Sequence, residues 1–237
     1  MGRAFEFRKA RKMKRWSSMA KIFTRIGKDI VMAVKEGGPD PSNNSKLRAI
    51  IQNAKAANMP KENVERAIKK ASDISTENYT EMIFEGYAPH GIAILIEATS
   101  DNNNRTVANI RSYFNKAQGS MGKSGSVDFL FERICSFRLD KKNYNIEEIE
   151  LDFIDYGVEE VFEEDNEIVI YGSFDGYGTI QKELENRNIE IISSSFDRIA
   201  LSPKRINHEQ QNEIENLIKK IEEDDDVQNV FHSMDIN

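Results

Sequence analysis

Near residue 72 the hydrophobic period of the chain changes, and that change decides the fold class before any motif is read. Upstream, apolar side chains recur every three to four positions: Phe23, Ile26, Ile30 and Val34 over residues 21–36, closed by Gly37-Gly38-Pro39; Leu47, Ile50, Ile51 and Ala54 over 44–57; and Val64, Ala67, Ile68 and Ala71 behind Pro60. That spacing puts each set on one face of an α-helix, and Pro60 fits a first turn, where its missing N–H costs nothing. Each stripe can be buried only against the other two, so three short helices with brief connections imply a small bundle. The polar stretch 72–78 reads as a linker. Beyond it, "YTEMIFEGYAP" and "GIAILIEATS" read as strands joined by a tight turn at Pro89-His90-Gly91.

The remaining chain alternates in small units. Residues 104–119 carry the helical stripe Val107, Ile110, Phe114 and Ala117, with Asp101 or Asn102 placed to cap it and Gly119 to close it. The segment 126–139 is a long β-type run. A helix is expected over 146–156, strands over 158–163 and 167–173, a helix over 177–187 and strands over 189–195 and 197–201. A final helix over 208–221 and a strand over 227–232 complete the reading. With no long parallel βαβ runs and no internal repeat, α+β sandwiches are expected rather than a doubly wound sheet.

Charge divides at the same place as the period. The formal net charge is −7, yet residues 1–70 hold 18 Lys+Arg against 6 Asp+Glu, a net +12, and residues 71–237 hold −19. Such asymmetry points to a polyanionic partner. The cations start as an arm, "RKARKMKRW", which supplies Arg8, Lys9, Arg11, Lys12, Lys14 and Arg15, with Phe5, Phe7 and Trp16 interleaved. On a helix over 21–36, Lys21, Arg25, Lys28 and Lys35 fall within roughly a quarter turn, opposite Phe23, Ile26, Ile30 and Val34. Phosphates attract such a row through Coulomb force and counterion release, and rings beside the cations stack on unpaired bases. The expected nucleic-acid-binding set is therefore Arg8, Lys9, Arg11, Lys12, Lys14, Arg15, Trp16, Lys21, Arg25, Lys28 and Lys35. An anionic membrane surface is the weaker candidate, because the helical stripe has the width of a core-facing one and no segment approaches the ~20 apolar residues that span a bilayer.

Catalytic and cofactor signals stay at background. "GSMGKSG" (residues 119–125) contains Gly-Lys-Ser, but Ala117 stands where a phosphate-binding P-loop needs its first glycine. The segment also leaves a helix and enters a strand, the reverse of a P-loop. It reads as a flexible turn exposing Lys123. His90, His208, His232 and Cys135 have no metal-ligand spacing, so neither a metal nor a cofactor is expected. The acidic "EEDDDVQ" (residues 222–228) reads as a solvated helix end. With one cysteine and no apolar segment behind the basic start, the expectation is a cytoplasmic protein without disulfides.

Two long stretches resemble the YebC/PmpR family. One is "KIFTRIGKDIVMAVKEGGPDPSNNSKLRAIIQNAKAANMPKENVERAIKKA"; the other is "FEGYAPHGIAILIEATSDNNNRTVANIRSYFNKAQGSMGKSGSVDFLF". Family members commonly begin with a Gly-His-Ser-Lys-Trp segment; here Gly2, the cations and Trp16 are kept without a histidine. The resemblance implies a basic helical bundle with its arm over 1–75, an α+β domain over 79–133 plus 202–237, and a third α+β domain over 134–201 inserted into the second. It also implies a non-enzymatic, DNA-binding transcriptional regulator. The alternative it carries is a translation factor on ribosomal RNA, touching ribosomal proteins and relieving stalling at proline-rich stretches. A third reading, an enzyme using Asn103, Arg105 and Lys123, competes with a plain capped helix and two surface cations.

Overall fold

The computed structural model describes residues 19–72, 78–141 and 144–235. Helices α1 (Met19–Gly37), α2 (Ser45–Ala56) and α3 (Lys61–Ser72) come first. One side chain closes the α1–α2 turn. The Asn44 carbonyl oxygen accepts from the Leu47 N–H to cap α2, while its amide donates to the Ala33 and Gly38 carbonyls.

Eight strands follow: β1 (Thr80–Ala88), β2 (Ile92–Ser100), β3 (Ser120–Met121), β4 (Phe131–Asp140), β5 (Val158–Glu164), β6 (Glu167–Ser173), β7 (Ile191–Ala200) and β8 (Val227–His232). They form two four-stranded sheets, β3-β1-β2-β8 and β5-β6-β4-β7, so the chain is α+β. All of the second sheet lies in sequence between β3 and β8, and the first sheet is completed by the last strand. Four helices accompany the sheets among the described residues: α4 (Asn103–Lys116), α5 (Ile146–Phe153), α6 (Tyr177–Asn186) and α7 (His208–Glu222). None of the described helices is long and apolar enough to cross a membrane.

The chain packs as two compact units. One holds the described residues up to Met32, those from β1 to Glu132, and those from Ile199 onward; the other holds 33–72 and 133–198. The boundary therefore falls inside α1, β4 and β7.

In the first unit, β2 is the middle of the sheet and is buried on both faces, which is why its sequence is a near-continuous apolar run. Ile92, Ile94 and Ile96 pack with Ile110 and Phe114 of α4 and with Ile214, Leu217 and Ile221 of α7. Ala93 and Leu95, on the opposite face, meet Val127, Phe131, Ala200 and Phe231. The β1–β2 turn works because His90 and Gly91 take positive φ, 63° and 70°. Asn102 caps α4, and Asn207 with Gln210 forms a capping box on α7.

In the second unit, Phe137 and Leu139 of β4 and Ile168 and Ile170 of β6 pack with Ile149 and Phe153 of α5 and Ile180 and Leu184 of α6. Strand β7 is an edge, and α2 covers it. The Asn53 side chain donates to the Ser194 carbonyl at 2.7 Å and accepts from the Ser194 N–H at 2.9 Å, as a neighbouring strand would.

Three local expectations are corrected. One strand, β7 (Ile191–Ala200), stands where two were expected over 189–195 and 197–201. The β-run expected over 126–139 begins only at Phe131, after a 3₁₀ turn over Asp128–Leu130. The cause is Glu85, buried on β1, whose carboxylate accepts the N–H groups of Gly125, Val127 and Asp128 at 2.6, 2.7 and 2.9 Å. Those hydrogen bonds draw the segment away from strand pairing. They also anchor the Gly-Lys-Ser turn expected to be flexible, and they place the chain's own carboxylate where a nucleotide phosphate would need those N–H groups.

Candidate nucleic-acid interface

The expected cations divide into three groups once the helices are placed. Arg8, Lys9, Arg11, Lys12, Lys14, Arg15 and Trp16 lie outside the described residues. Lys35 is exposed in the last turn of α1. Lys21, Arg25 and Lys28 do share one side of α1, but that side meets the end of α7 and the acidic turn behind it.

A helix C-terminus leaves carbonyls without intrahelical partners, and cations are stabilised there. Lys21 donates to the Glu223 carbonyl at 2.9 Å and Arg25 to the Glu222 carbonyl at 3.1 Å. Lys28 goes deeper. Its ammonium donates to the Thr99 and Asp225 carbonyls at 2.8 and 2.7 Å and to Asp226 Oδ1 at 2.9 Å, and it lies 5.5 Å from the centre of the Tyr79 ring. With Lys28 only 8% exposed, its assignment to a phosphate-binding surface is corrected: it is an internal cation. The acidic run read as a solvated helix end is what Lys21, Arg25 and Lys28 cap.

Asp226 organises the rest of this cluster. Its Oδ2 accepts from Ser100 Oγ at 2.9 Å, Thr106 Oγ1 at 2.8 Å and Arg105 Nη2 at 2.8 Å. The same guanidinium group reaches Asp101 at 2.8 Å. Burial alone would raise the Asp226 carboxyl, but the hydrogen bonds from Arg105, Lys28, Thr106 and Ser100 outweigh it and hold the group down to about 2. Hydrogen bonds to Asp226 and Asp101 in turn hold Arg105 above its ordinary value. Next to it, Asp224 accepts from Asn109 and from the Tyr113 hydroxyl, both at 3.0 Å. Burial, together with Asp224, pushes that phenol up to about 12. Ser100, Arg105 and Thr106 of the "SDNNNRT" segment thus hold Asp226, with Asp101 bracing Arg105, while Asn109 and Tyr113 hold Asp224. Arg105, the central residue of the enzyme reading, is committed to this cluster.

Further exposed cations lie on α2 and α3. On α3, Arg66, Lys69 and Lys70 are exposed opposite buried Val64 and Ala71, and on α2 Lys55 is exposed. Lys46 pairs with Glu36 at 2.8 Å and Lys61 with Glu65 at 3.4 Å. Residues 45–72 carry seven Lys+Arg against two Asp+Glu, so this surface stays cationic after its internal pairs are made. The sequence reading counted these residues in the +12 and did not single them out. The signal was present in Arg66 and Lys69, spaced i, i+3 on the face opposite the apolar stripe.

A cation-rich helical region leading into two sheets, one nested in the other, defines the class. Residues 3–74 match the model of the TACO1/YebC protein N-terminal domain, and residues 79–234 match that of the TACO1/YebC second and third domain. The chain belongs to the TACO1/YebC family. It is 67% identical over 234 residues to a probable transcriptional regulatory protein of Flavobacterium johnsoniae, covering 99% of each chain. A protein of the same description from Porphyromonas gingivalis is 57% identical over 235 residues, covering 99% of this chain and 97% of that one. Among solved structures, a conserved hypothetical protein from Aquifex aeolicus superimposes with a TM-score of 0.79 at 35% identity, over 93% of this chain and 91% of that chain.

Proposed function

We infer that the chain is a non-enzymatic, cytoplasmic regulator of gene expression that binds DNA through the cations of its amino-terminal third. The contacts assigned to phosphate are the exposed Lys55, Arg66 and Lys69, together with Lys35 and the arm cations Arg8, Lys9, Arg11, Lys12, Lys14 and Arg15, with Trp16 beside them. The observation that carries this reading is the exposed cationic face of α3, which persists although three cations of α1 are committed to the carbonyls and carboxylate at the end of α7. The names of the relatives, probable transcriptional regulatory proteins, support it. The non-enzymatic part is supported by the single thiol, since Cys135 is buried and burial pushes it up to about 11, unsuited to a nucleophile.

Phosphate contacts position a protein without reading bases. The double variant Arg66→Ala/Lys69→Ala therefore weakens binding to duplexes of unrelated sequence by similar factors, measured by fluorescence anisotropy. Loss confined to one duplex sequence contradicts backbone binding. Recovery of the native protein only with ribosomal particles on a nuclease-sensitive sucrose gradient moves the same surface to ribosomal RNA and defeats the DNA assignment.

A further inference from the structure

The second unit carries an aromatic cluster that its core does not consume. Phe196, near the middle of edge strand β7, is 47% exposed. Its ring lies 5.0 Å from that of Phe174 and 4.7 Å from that of Tyr177. The guanidinium group of exposed Arg133 sits 3.7 Å from the centre of the Phe174 ring. Tyr177 is held from below by stacking on buried Phe137 at 5.0 Å and by a hydroxyl contact with Ser194 at 2.9 Å. Ser194 is the residue that Asn53 of α2 pins. Tyr177 is thus held from behind, while Phe196 and Arg133 remain exposed.

We propose that Phe196, with Phe174 and Arg133, is a stacking platform for an unpaired nucleobase. The proposal rests on the nucleic-acid reading above and adds to it the part of the ligand that this unit contacts. Charge selects a base over a phosphate as the occupant. Exposed Asp175 directly follows Phe174; its carboxylate repels phosphate but not the face of a neutral base. The sheet order β5-β6-β4-β7 also puts β5, with its acids, at the edge opposite Phe196, about 14 Å away across three strand spacings. The edge that carries Phe196 is the one covered by α2, whose Lys55 is exposed and can hold the flanking phosphates. Flat rings joined to a guanidinium plane are what single strands stack on, with little dependence on base identity.

The test uses the full chain, labelled oligothymidylate, labelled oligouridylate and a labelled duplex. Phe196→Leu keeps an apolar side chain of similar size, so it preserves packing and removes stacking. It is expected to weaken single-strand binding about tenfold and leave duplex binding unchanged, with Phe196→Trp restoring the loss. The oligonucleotide bound more tightly by the native protein tells whether the strand is DNA or RNA, and either result supports the platform. Equal single-strand binding by the native chain and Phe196→Leu overturns it. If the native chain binds duplex but not single strands, this inference falls alone; if it binds neither, the nucleic-acid reading falls too.

Discussion

Asp226 shows how a single carboxylate holds distant parts of a chain together. It receives donors from α1, from the end of β2 and from α4, residues separated from it by about half the sequence or more. Removing one partner of a buried ion pair strands the other, which typically costs about 3–5 kcal/mol. Asp226→Ala should therefore lower the unfolding free energy by about that amount in urea titrations, because buried Lys28 loses its carboxylate partner. The pH dependence has a definite sign. A carboxyl held at about 2 in the folded state, below its usual value near 3.9, stabilises the fold fully above pH ~4 and loses that contribution as pH falls toward 2. Urea midpoints should drop across this window in the native protein, and the drop should shrink in Asp226→Ala. None of this was legible from the sequence. Helical phase put Lys21, Arg25 and Lys28 on one side correctly, but phase says nothing about whether that side meets solvent or the carbonyls of a helix end two hundred residues away.

Helices and strands followed their local patterns closely. The apolar run of β2 and the stripe of α4 are statements about residues within a few positions of one another and form as read, and of the two residues read as caps for α4, Asn102 is the one that caps it. The misreadings fall where a remote side chain overrides the local pattern. Glu85 takes three N–H groups from residues 125–128 and delays β4 to Phe131. Asn53 takes both main-chain groups of Ser194 in the middle of what read as two short strands. Asn53→Ala leaves that N–H and C=O unpaired, at about 1–3 kcal/mol. It also opens the β7 edge to pairing with a second copy. Lower stability in urea together with concentration-dependent light scattering is the expected outcome, and unchanged scattering would mean that α2 does not guard this edge.

The molecule as a whole separates its charge into a +12 amino-terminal part and a −19 remainder. Part of that separation is consumed in folding, since α1 spends three cations on the acidic turn after α7. Among the described residues, Lys35 on α1, Lys55 on α2 and Arg66 and Lys69 on α3 remain exposed. Central to the account is that phosphate is gripped by the cations left exposed and not by those committed to the end of α7. The slope of log K against log salt for a DNA duplex counts the phosphates neutralised, at about 0.9 per contact. The account predicts a steep slope for the native chain and a slope shallower by about two for Arg66→Ala/Lys69→Ala. It also predicts an unaltered slope with lowered stability for Lys21→Ala/Arg25→Ala. A flat native slope, or a slope reduced by the Lys21 and Arg25 changes and untouched by the Arg66 and Lys69 changes, would contradict it.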